Sequence, residues 1–281
     1  MSKRILIAYA NKPLYKSLAL LGAQARYTHV FDKITLYTEK DLSPVVLSSP
    51  LMKYSRGGGY WVWKPYLIWK TLQSCDEGDI VCYLDSGNTV CAGKEWNDYF
   101  SYLEQYQTLC FQYHKVIPCW VNRYKESSTA IKLWSKKITL DYFRDSLKDD
   151  EFLNFSKVMG GVIFCRGKNN AFIKEWLNIS LAHPEFIIDP TEEELKDQYP
   201  FFTGYHRHDQ SIITPLAYKY QKEGSLLVLP ERFDINRNSD IIKTDRRKPK
   251  GMRYYKELAK IHIKGIFGEK RIHQLKDHLH K

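Results

Sequence analysis

Apolar runs of strand length alternate with amphipathic stretches of helix length along most of the chain. Strands are predicted over residues 4–9, 33–37, 79–85, 108–113, 159–165 and 226–229. Helices are predicted over residues 14–26, 66–72, 96–106, 172–182 and 211–221, with one or two more inside 127–147. This alternation predicts an α/β protein with a mostly parallel central sheet and flanking helices.

The composition indicates a globular protein. The chain has 281 residues, 43% of them hydrophobic, so it can build a sizeable core, and we expect a single domain over residues 1–281. No stretch approaches the roughly 18 uncharged apolar residues of a spanning helix. The run Ile5–Ala8 is too short for the core of a signal peptide. No two cysteines form a Cys-x-x-Cys pair, so a structural zinc site is not expected. These features predict a soluble cytoplasmic protein.

The charge is concentrated near the C-terminus. Residues 243–281 hold 13 basic and four acidic side chains and so carry +9 of the net charge of +11. Such a segment favours an anionic partner, which can be the phosphates of a nucleotide, a nucleic acid or a lipid surface. An ordinary solvated basic surface is the alternative.

Asp85 is the first candidate functional residue. It ends the clearest predicted strand, where five apolar or aromatic residues stand between two aspartates, and the turn Ser86-Gly87-Asn88 follows it. Ligands of open α/β sheets bind at the carboxyl ends of strands. A carboxylate there can bind a divalent cation or a ribose hydroxyl. Alternatively, Asp85 only caps the turn through its side chain.

A glycine-rich basic segment precedes that strand, with the sequence Arg56-Gly57-Gly58-Gly59-Tyr60-Trp61-Val62-Trp63-Lys64. Glycines let the backbone approach a ligand closely, and Arg56 and Lys64 can bind a phosphate. A helix predicted to start near Pro65 adds its positive end. The spacing is not that of a P-loop. The alternative is a glycine turn that leads into an aromatic core helix.

Two groups of residues later in the sequence are also candidates for the functional site. His208-Asp209-Gln210 stands before a predicted helix, and Ile261-His262-Ile263-Lys264-Gly265 lies in the basic segment. Taken separately, Asp209 is equally well an N-cap and His262 a strand histidine. Taken together with Asp85 and the glycine-rich segment, they suit a sugar nucleotide, which needs groups for a cation, a diphosphate and a reacting sugar.

The order of these motifs resembles that of the GT-A glycosyltransferases over about residues 4–270. The motifs are Tyr-Leu-Asp-Ser-Gly after a strand, a Gly-Gly-Val strand, Asp-Gln at a helix start and a late His-x-x-Gly. The sequence is most similar to the retaining, family 8-like branch and to bacterial capsular and lipopolysaccharide sugar transferases with a Gly-Tyr-Trp-x-Trp-Lys-Pro segment. The resemblance implies a GT-A (Rossmann-like) hexosyltransferase that moves a sugar, with retention, from a UDP-hexose to a hydroxyl of a glycan or lipid-linked glycan in surface polysaccharide synthesis.

The resemblance also implies roles for individual residues. Catalytic roles beside the sugar are implied for Asp209 and Gln210, and metal ligation for Asp85 and His262. Gly160 and Gly161 are implied to leave space for the donor sugar or the acceptor. Binding of the donor and its diphosphate is implied for Tyr9, Asn11, Arg56, Lys64, Asp85, Ser86, Gly87, Gly160, Gly161, Lys264 and Gly265.

The implied cofactor is Mn²⁺ or Mg²⁺, but the sequence departs from the family pattern at the metal site. Gly87 stands where the family has the second acid of Asp-x-Asp. The ion would then be held by Asp85, His262, the diphosphate and water. Otherwise Arg56, Lys64 and Lys264 neutralise the diphosphate without a metal.

The basic segment 243–281 is expected to contribute to the donor site and to membrane association. Arg246-Arg247-Lys248-Pro249-Lys250 is predicted to hold the protein at the anionic inner face of a membrane, where a lipid-linked acceptor resides. Two other functions stay open. A catalytically inactive GT-A scaffold would explain the missing acid, and a nucleic-acid-binding protein would explain the basic charge with Tyr254 and Tyr255 among it.

Overall fold

A central six-stranded sheet organises the molecule. The computed structural model describes residues 2–114, 126, 128–234, 241–246, 248–263 and 265. The strands of the sheet are β1 (Arg4–Tyr9), β2 (Lys33–Tyr37), β3 (Ile80–Leu84), β5 (Thr108–Gln112), β6 (Val162–Arg166) and β7 (Leu226–Pro230), and β4 (Thr89–Val90) pairs with β8 (Ile242–Lys243) in a small second sheet. The order in the large sheet is β2-β1-β3-β6-β5-β7.

Helices flank the sheet. They are α1 (Tyr15–Thr28), α2 (Pro44–Leu47), α3 (Gly57–Tyr60), α4 (Trp63–Gln73), α5 (Glu95–Tyr102), α6 (Lys137–Leu147), α7 (Ala171–Ala182), α8 (Glu192–Lys196), α9 (Gln210–Lys222) and α10 (251–263). Short 3-10 turns cover Lys12–Leu14, Glu39–Asp41, Pro50–Lys53, Ile131–Trp134, Glu151–Asn154 and Pro184–Phe186. None of the helices in the described part of the chain is long and apolar enough to cross a membrane.

The prediction of an α/β protein with a mostly parallel sheet is confirmed. Five strands of the large sheet point the same way, and β6 runs antiparallel to its neighbours β3 and β5. The apolar run of β6 did not reveal its direction, because a buried strand has the same pattern in either orientation. The reversal brings the residues that precede β6 to the edge where the parallel strands end.

The core lies on both faces of the sheet, as the alternation of side chains along a strand requires. In β1, Ile5, Ile7 and Tyr9 pack into one hydrophobic cluster, together with residues of α4, α7 and α9. Leu6 and Ala8 face the opposite cluster, which includes residues of α1 and α5.

The predicted helices form within a few residues of their expected bounds. Pro65 lies in the first turn of α4, where a proline needs no hydrogen-bond acceptor for its nitrogen. Pro215 lies inside α9 and does not displace its start. Five cysteines are free thiols, and Cys119 lies outside the described residues.

Candidate active site

A cavity of about 750 Å³ opens at the carboxyl edge of β1 and β3. In the sheet, β2 lies on one side of β1 and β3 lies on the other side, so the order of the strands reverses at β1. Ligands of open sheets bind at such a switch point. Its lining comes from the loops after β1 and β3, the glycine-rich segment, the residues before β6, the start of α9, and residues 244, 246 and 248–250.

Asp85 lies in the lining of this cavity, one residue beyond β3. We call Asp85, Lys64 and Asp209 together the floor of the cavity. Its backbone N–H donates to the carbonyl of Gly161 at 3.0 Å, and its Oδ1 accepts a 2.6 Å hydrogen bond from the hydroxyl of Tyr83. The following turn is closed by the backbone N–H of Asn88. The side chain of Asp85 therefore does not cap its own turn, and 42% of it stays exposed to the cavity.

Lys64 joins Asp85 to Asp209. Its Nζ donates to Asp209 Oδ2 at 2.9 Å and to the carbonyl of Gly160 at 2.8 Å, and it lies 3.5 Å from Asp85 Oδ1. The lysine side chain is 2% exposed. Burial opposes its charge, but Asp209 and Asp85 outweigh burial and raise the pKa of Lys64 above its usual value. The site thus contains a buried ammonium between two carboxylates.

Gly160 and Gly161 make room for the same carboxylates. A Cβ atom at Gly160 would lie 2.6 Å from Asp209 Oδ2, and one at Gly161 would lie 2.7 Å from Asp85 Oδ2. Real Cβ contacts are essentially never this short, so any larger residue would displace a carboxylate. Both glycines also line the cavity, and space for the sugar or acceptor beside them stays a prediction from the resemblance.

Asp209 also caps α9. Its Oδ1 accepts a hydrogen bond from the backbone N–H of Gln210 at 3.0 Å. The N-cap interpretation is therefore correct, and it is compatible with a place in the site because the other oxygen binds Lys64. Gln210 follows at the cavity wall.

The glycine-rich segment forms a left-handed turn. All five residues from Gly57 to Trp61 have positive φ angles, between 51° and 97°. Each L-residue pays about 1–2 kcal/mol for this conformation, and glycine avoids that cost at three of the five positions. The indole N–H of Trp63 donates to the carbonyl of Gly57 at 2.9 Å, and the Trp63 ring lies 4.0 Å from the ring of Tyr9. Gly57 and Gly58 thereby reach the cavity.

His208 also lines the cavity. Burial lowers the pKa of its imidazole, and the hydrogen bond of Nδ1 with the carbonyl of Ile187 at 2.8 Å offsets this shift only in part, so the ring adds no positive charge near pH 7.

Part of the cavity lining is basic, and we call this part the basic wall. Its lining residues are Thr244, Arg246, Lys248, Pro249 and Lys250. The wall is anchored by the pairing of β8 with β4 and by the hydrogen bond of Thr244 with Asp234. Arg246 donates to Asp234 at 2.9 Å. The sequence showed the density of positive charge here, but it did not show which surface those side chains face.

The structure brings most of the predicted site residues to this one cavity. They are Tyr9, Asn11, Lys64, Asp85, Ser86, Gly87, Gly160, Gly161, Asp209 and Gln210. Sequence reasoning missed Tyr113 and Arg207, which also line the cavity and belong to no motif.

Three predicted residues lie elsewhere. Arg56 is not in the lining, because its guanidinium binds Asp189 at 2.8 Å. His262 and Gly265 lie against α1, where His262 Nδ1 is 2.5 Å from the Tyr27 hydroxyl. Lys264 lies outside the described residues.

The predicted metal pair is therefore not assembled. In the described ranges no three His, Cys, Asp or Glu side chains are grouped to hold a metal ion. The carboxylates in the lining are those of Asp85 and Asp209, and Lys64 contacts both. Mn²⁺ and Mg²⁺ prefer several oxygen ligands and no adjacent cation. This donor set does not fit a resident divalent ion.

No protein-family model matches the sequence, and no curated protein is significantly similar to it. Solved structures give weak similarities. A glycosyltransferase involved in the glycosylation of the major capsid of PBCV-1 is 10% identical, with 94% of this chain and 100% of that chain covered and a TM-score of 0.43.

The galactosyltransferase LgtC, in complex with donor and acceptor sugar analogs, is 12% identical, with 80% of this chain and 72% of that chain covered and a TM-score of 0.38. Mouse xyloside xylosyltransferase 1 is 14% identical, with 82% and 85% covered and a TM-score of 0.40. With identities and TM-scores this low, the function has to be argued from the residues of this chain.

Proposed function

We propose that this protein is a glycosyltransferase of the GT-A class, which transfers a sugar from a nucleotide-diphosphate sugar to a hydroxyl of a glycan or lipid-linked glycan. One observation carries the proposal. At a switch point of the sheet, the lining of one cavity combines two carboxylates bridged by a lysine with a group of basic side chains. The carboxylates suit the hydroxyls of a sugar or ribose, and the wall suits a diphosphate.

The cavity has the size for such a donor. Sites for ligands of drug or cofactor size typically have volumes of about 300–1,000 Å³, and this cavity measures about 750 Å³. Asp85 Oδ2 has no hydrogen-bond donor in the described part of the chain, so it is available to accept from a ligand hydroxyl. Tyr9 and Asn11, at the end of β1, are the residues proposed for the base.

The chemistry follows from the charges. When the bond between the sugar and the diphosphate breaks, negative charge develops on the leaving group, and preorganised cations stabilise it. Arg246, Lys248 and Lys250 are placed on the wall for this role. The carboxylate of Asp209 and the amide of Gln210 would stabilise the positive charge that develops on the sugar. The proton of the acceptor hydroxyl leaves with the diphosphate.

The donor class is tested by measuring release of nucleoside diphosphate from a panel of nucleotide sugars, with UDP-hexoses as the expected substrates. Asp85→Ala should lower the rate at least about 100-fold, because it removes a contact to the reacting donor. Asp76→Ala is the matched control, since Asp76 is a highly exposed carboxylate that precedes β3 and pairs with Lys3.

Two results would contradict the proposal. Tight nucleotide binding without turnover under any acceptor would favour the inactive scaffold. Salt-sensitive binding of an oligonucleotide without binding of any nucleotide sugar would favour the nucleic-acid reading.

Retention of anomeric configuration is proposed from the sequence resemblance. NMR of the initial product measures it directly, and an inverted anomer would reject this part alone.

The proposal extends to a peripheral position on an anionic membrane, in surface polysaccharide synthesis. The segment 246–250 was expected to provide that contact, but Arg246, Lys248 and Lys250 line the cavity. The helix α10 is the better candidate. Met252, Tyr255 and Ile263 are 69%, 60% and 48% exposed on it, and Arg253, Lys256 and Lys260 stand between them. Exposed apolar and basic side chains on one helix are typical of interfacial binding.

Sedimentation with anionic and neutral lipid vesicles tests this position. Met252→Ser combined with Ile263→Ser should reduce sedimentation with anionic vesicles several-fold and leave the unfolding temperature unchanged, because both side chains are exposed. Unchanged sedimentation of this variant would reject α10 as the contact.

A further inference from the structure

We infer that the cavity holds the diphosphate of its donor on Arg246, Lys248 and Lys250, and that this binding requires no divalent metal ion. The inference rests on the proposed function, since it concerns how the same cavity binds a nucleoside diphosphate.

The floor of the cavity already contains a cation. Lys64 Nζ lies 2.9 Å from Asp209 Oδ2 and 3.5 Å from Asp85 Oδ1. Its side chain is 2% exposed, so water screens its charge poorly. A divalent ion on either carboxylate would stand beside this ammonium and be repelled by it. Lys64 therefore takes the place beside Asp85 that a metal ion would need.

The remaining carboxylate oxygens offer little to a metal. Asp85 Oδ1 accepts from Tyr83, and both oxygens of Asp209 accept hydrogen bonds, from Lys64 and from the backbone of Gln210. Only Asp85 Oδ2 is left among the carboxylate oxygens of the described lining. Mg²⁺ is usually bound through one or two carboxylates, with substrate phosphates and water completing its shell. Here a single carboxylate oxygen is left, and the ammonium of Lys64 lies beside the same carboxylate.

The basic wall carries positive side chains that can contact a ligand. Lys248 and Lys250 are exposed and line the cavity, and they flank the buried Pro249. Arg246 holds a left-handed backbone, with φ at 49°, while its guanidinium binds Asp234. A non-glycine residue persists in this conformation only where its surroundings impose it. The wall is thus a built feature of the fold.

The wall is also tied to the loop that carries Asp85. Backbone pairing joins Thr89 to Lys243 and Val90 to Ile242, and the hydroxyl of Thr89 donates to Asp245. A ligand that spans the cavity can therefore contact Asp85 and the wall together. A nucleoside diphosphate sugar suits such a cavity, because its ribose and its sugar carry hydroxyl groups and the diphosphate between them is an anion.

Isothermal titration calorimetry with UDP and GDP as probes tests the inference, in chelator and in excess Mn²⁺. One probe should bind with dissociation constants that agree within about two-fold in the two buffers. Lys248→Ala combined with Lys250→Ala should weaken binding about 10-fold, as expected for the loss of charge-assisted contacts. Lys94→Ala combined with Lys168→Ala is the matched control, because it removes the same charge from exposed positions outside the cavity lining and should leave the dissociation constant unchanged.

The outcomes separate this inference from the proposed function. Binding that appears only with Mn²⁺ would overturn the inference and leave the transferase proposal intact. Equal weakening by both double variants would also overturn it, since only the net charge would matter. No binding of either probe in either buffer would count against the proposed function and, with it, this inference.

Discussion

Lys64 is the residue on which the site depends most. It is buried, and it donates to Asp209 and to the backbone of Gly160. Replacing one member of a buried ion pair leaves an uncompensated charge and typically costs about 3–5 kcal/mol. Lys64→Met should therefore lower the free energy of unfolding by about that amount in denaturant titration, and Lys64→Met combined with Asp209→Asn should recover part of it.

The control for Lys64 lies on the same helix. Lys70 is exposed on α4 and donates to the carbonyl of Asp41. Lys70→Met should change the free energy of unfolding by less than about 0.5 kcal/mol. Equal losses of unfolding free energy in Lys64→Met and Lys70→Met would contradict a special role for the buried Lys64.

Gly161 should act through Asp85. A Cβ atom there would lie 2.7 Å from Asp85 Oδ2, and the φ angle of Gly161 is not in the left-handed region, so the effect of Gly161→Ala is steric. We expect nucleoside diphosphate release to fall about 10-fold or more. In an Asp85→Ala background, Gly161→Ala should cost almost nothing further. Additive losses in this double-mutant cycle would show that Gly161 acts independently of Asp85.

The left-handed turn of the glycine-rich segment depends on glycine at some of its positions. Gly59 has a φ of 97°, and a Cβ atom there would clash with Met52. Gly59→Ala combines backbone strain with overpacking and should cost about 3 kcal/mol. Gly224 has a φ of 76° with open space around it, so Gly224→Ala should cost only about 1 kcal/mol. Thermal unfolding of the two variants measures the difference, and equal costs would show that packing against Met52 contributes nothing.

The elements also show what the sequence could predict and what it could not. β2 has its predicted bounds, and β3 and α9 form as expected, because burial and capping are local patterns. The antiparallel direction of β6 could not be predicted, nor could the contact of His262 with Tyr27. Both depend on which distant residues meet, and periodicity carries no information on that. The same limit hid the ion pair between Lys64 and Asp209, which are 145 positions apart.

At the scale of the whole molecule, buried Lys157 should give stability a pH dependence. Its Nζ lies 3.5 Å from the centre of the Trp134 ring. Burial, with a smaller contribution from Arg207 and opposed by Glu126, lowers the pKa of Lys157 to about 6. The unfolded chain keeps this proton up to a pKa of about 10.4. Between these values the unfolded state binds more protons, so the free energy of unfolding should rise with pH from about 6 to about 10.

Denaturant titrations across this range measure the slope. Lys157→Met should flatten it, whereas Lys148→Met should keep it, because Lys148 is 79% exposed. An unchanged slope in Lys157→Met would contradict a neutral Lys157 in the folded state.

At the scale of the whole molecule, the switch point of the sheet carries a cavity lined by two carboxylates that share one lysine and by a basic wall. The central claim is that this cavity binds a nucleotide-diphosphate sugar. A thermal-shift screen against nucleoside diphosphates and their sugar conjugates tests it most directly. A ligand that binds only the folded state adds about 2.7 kcal/mol of stability at 100 times its dissociation constant. We predict a rise in unfolding temperature with one nucleotide class, lost in Asp85→Ala and kept in Asp76→Ala. No rise with any nucleotide would contradict the claim.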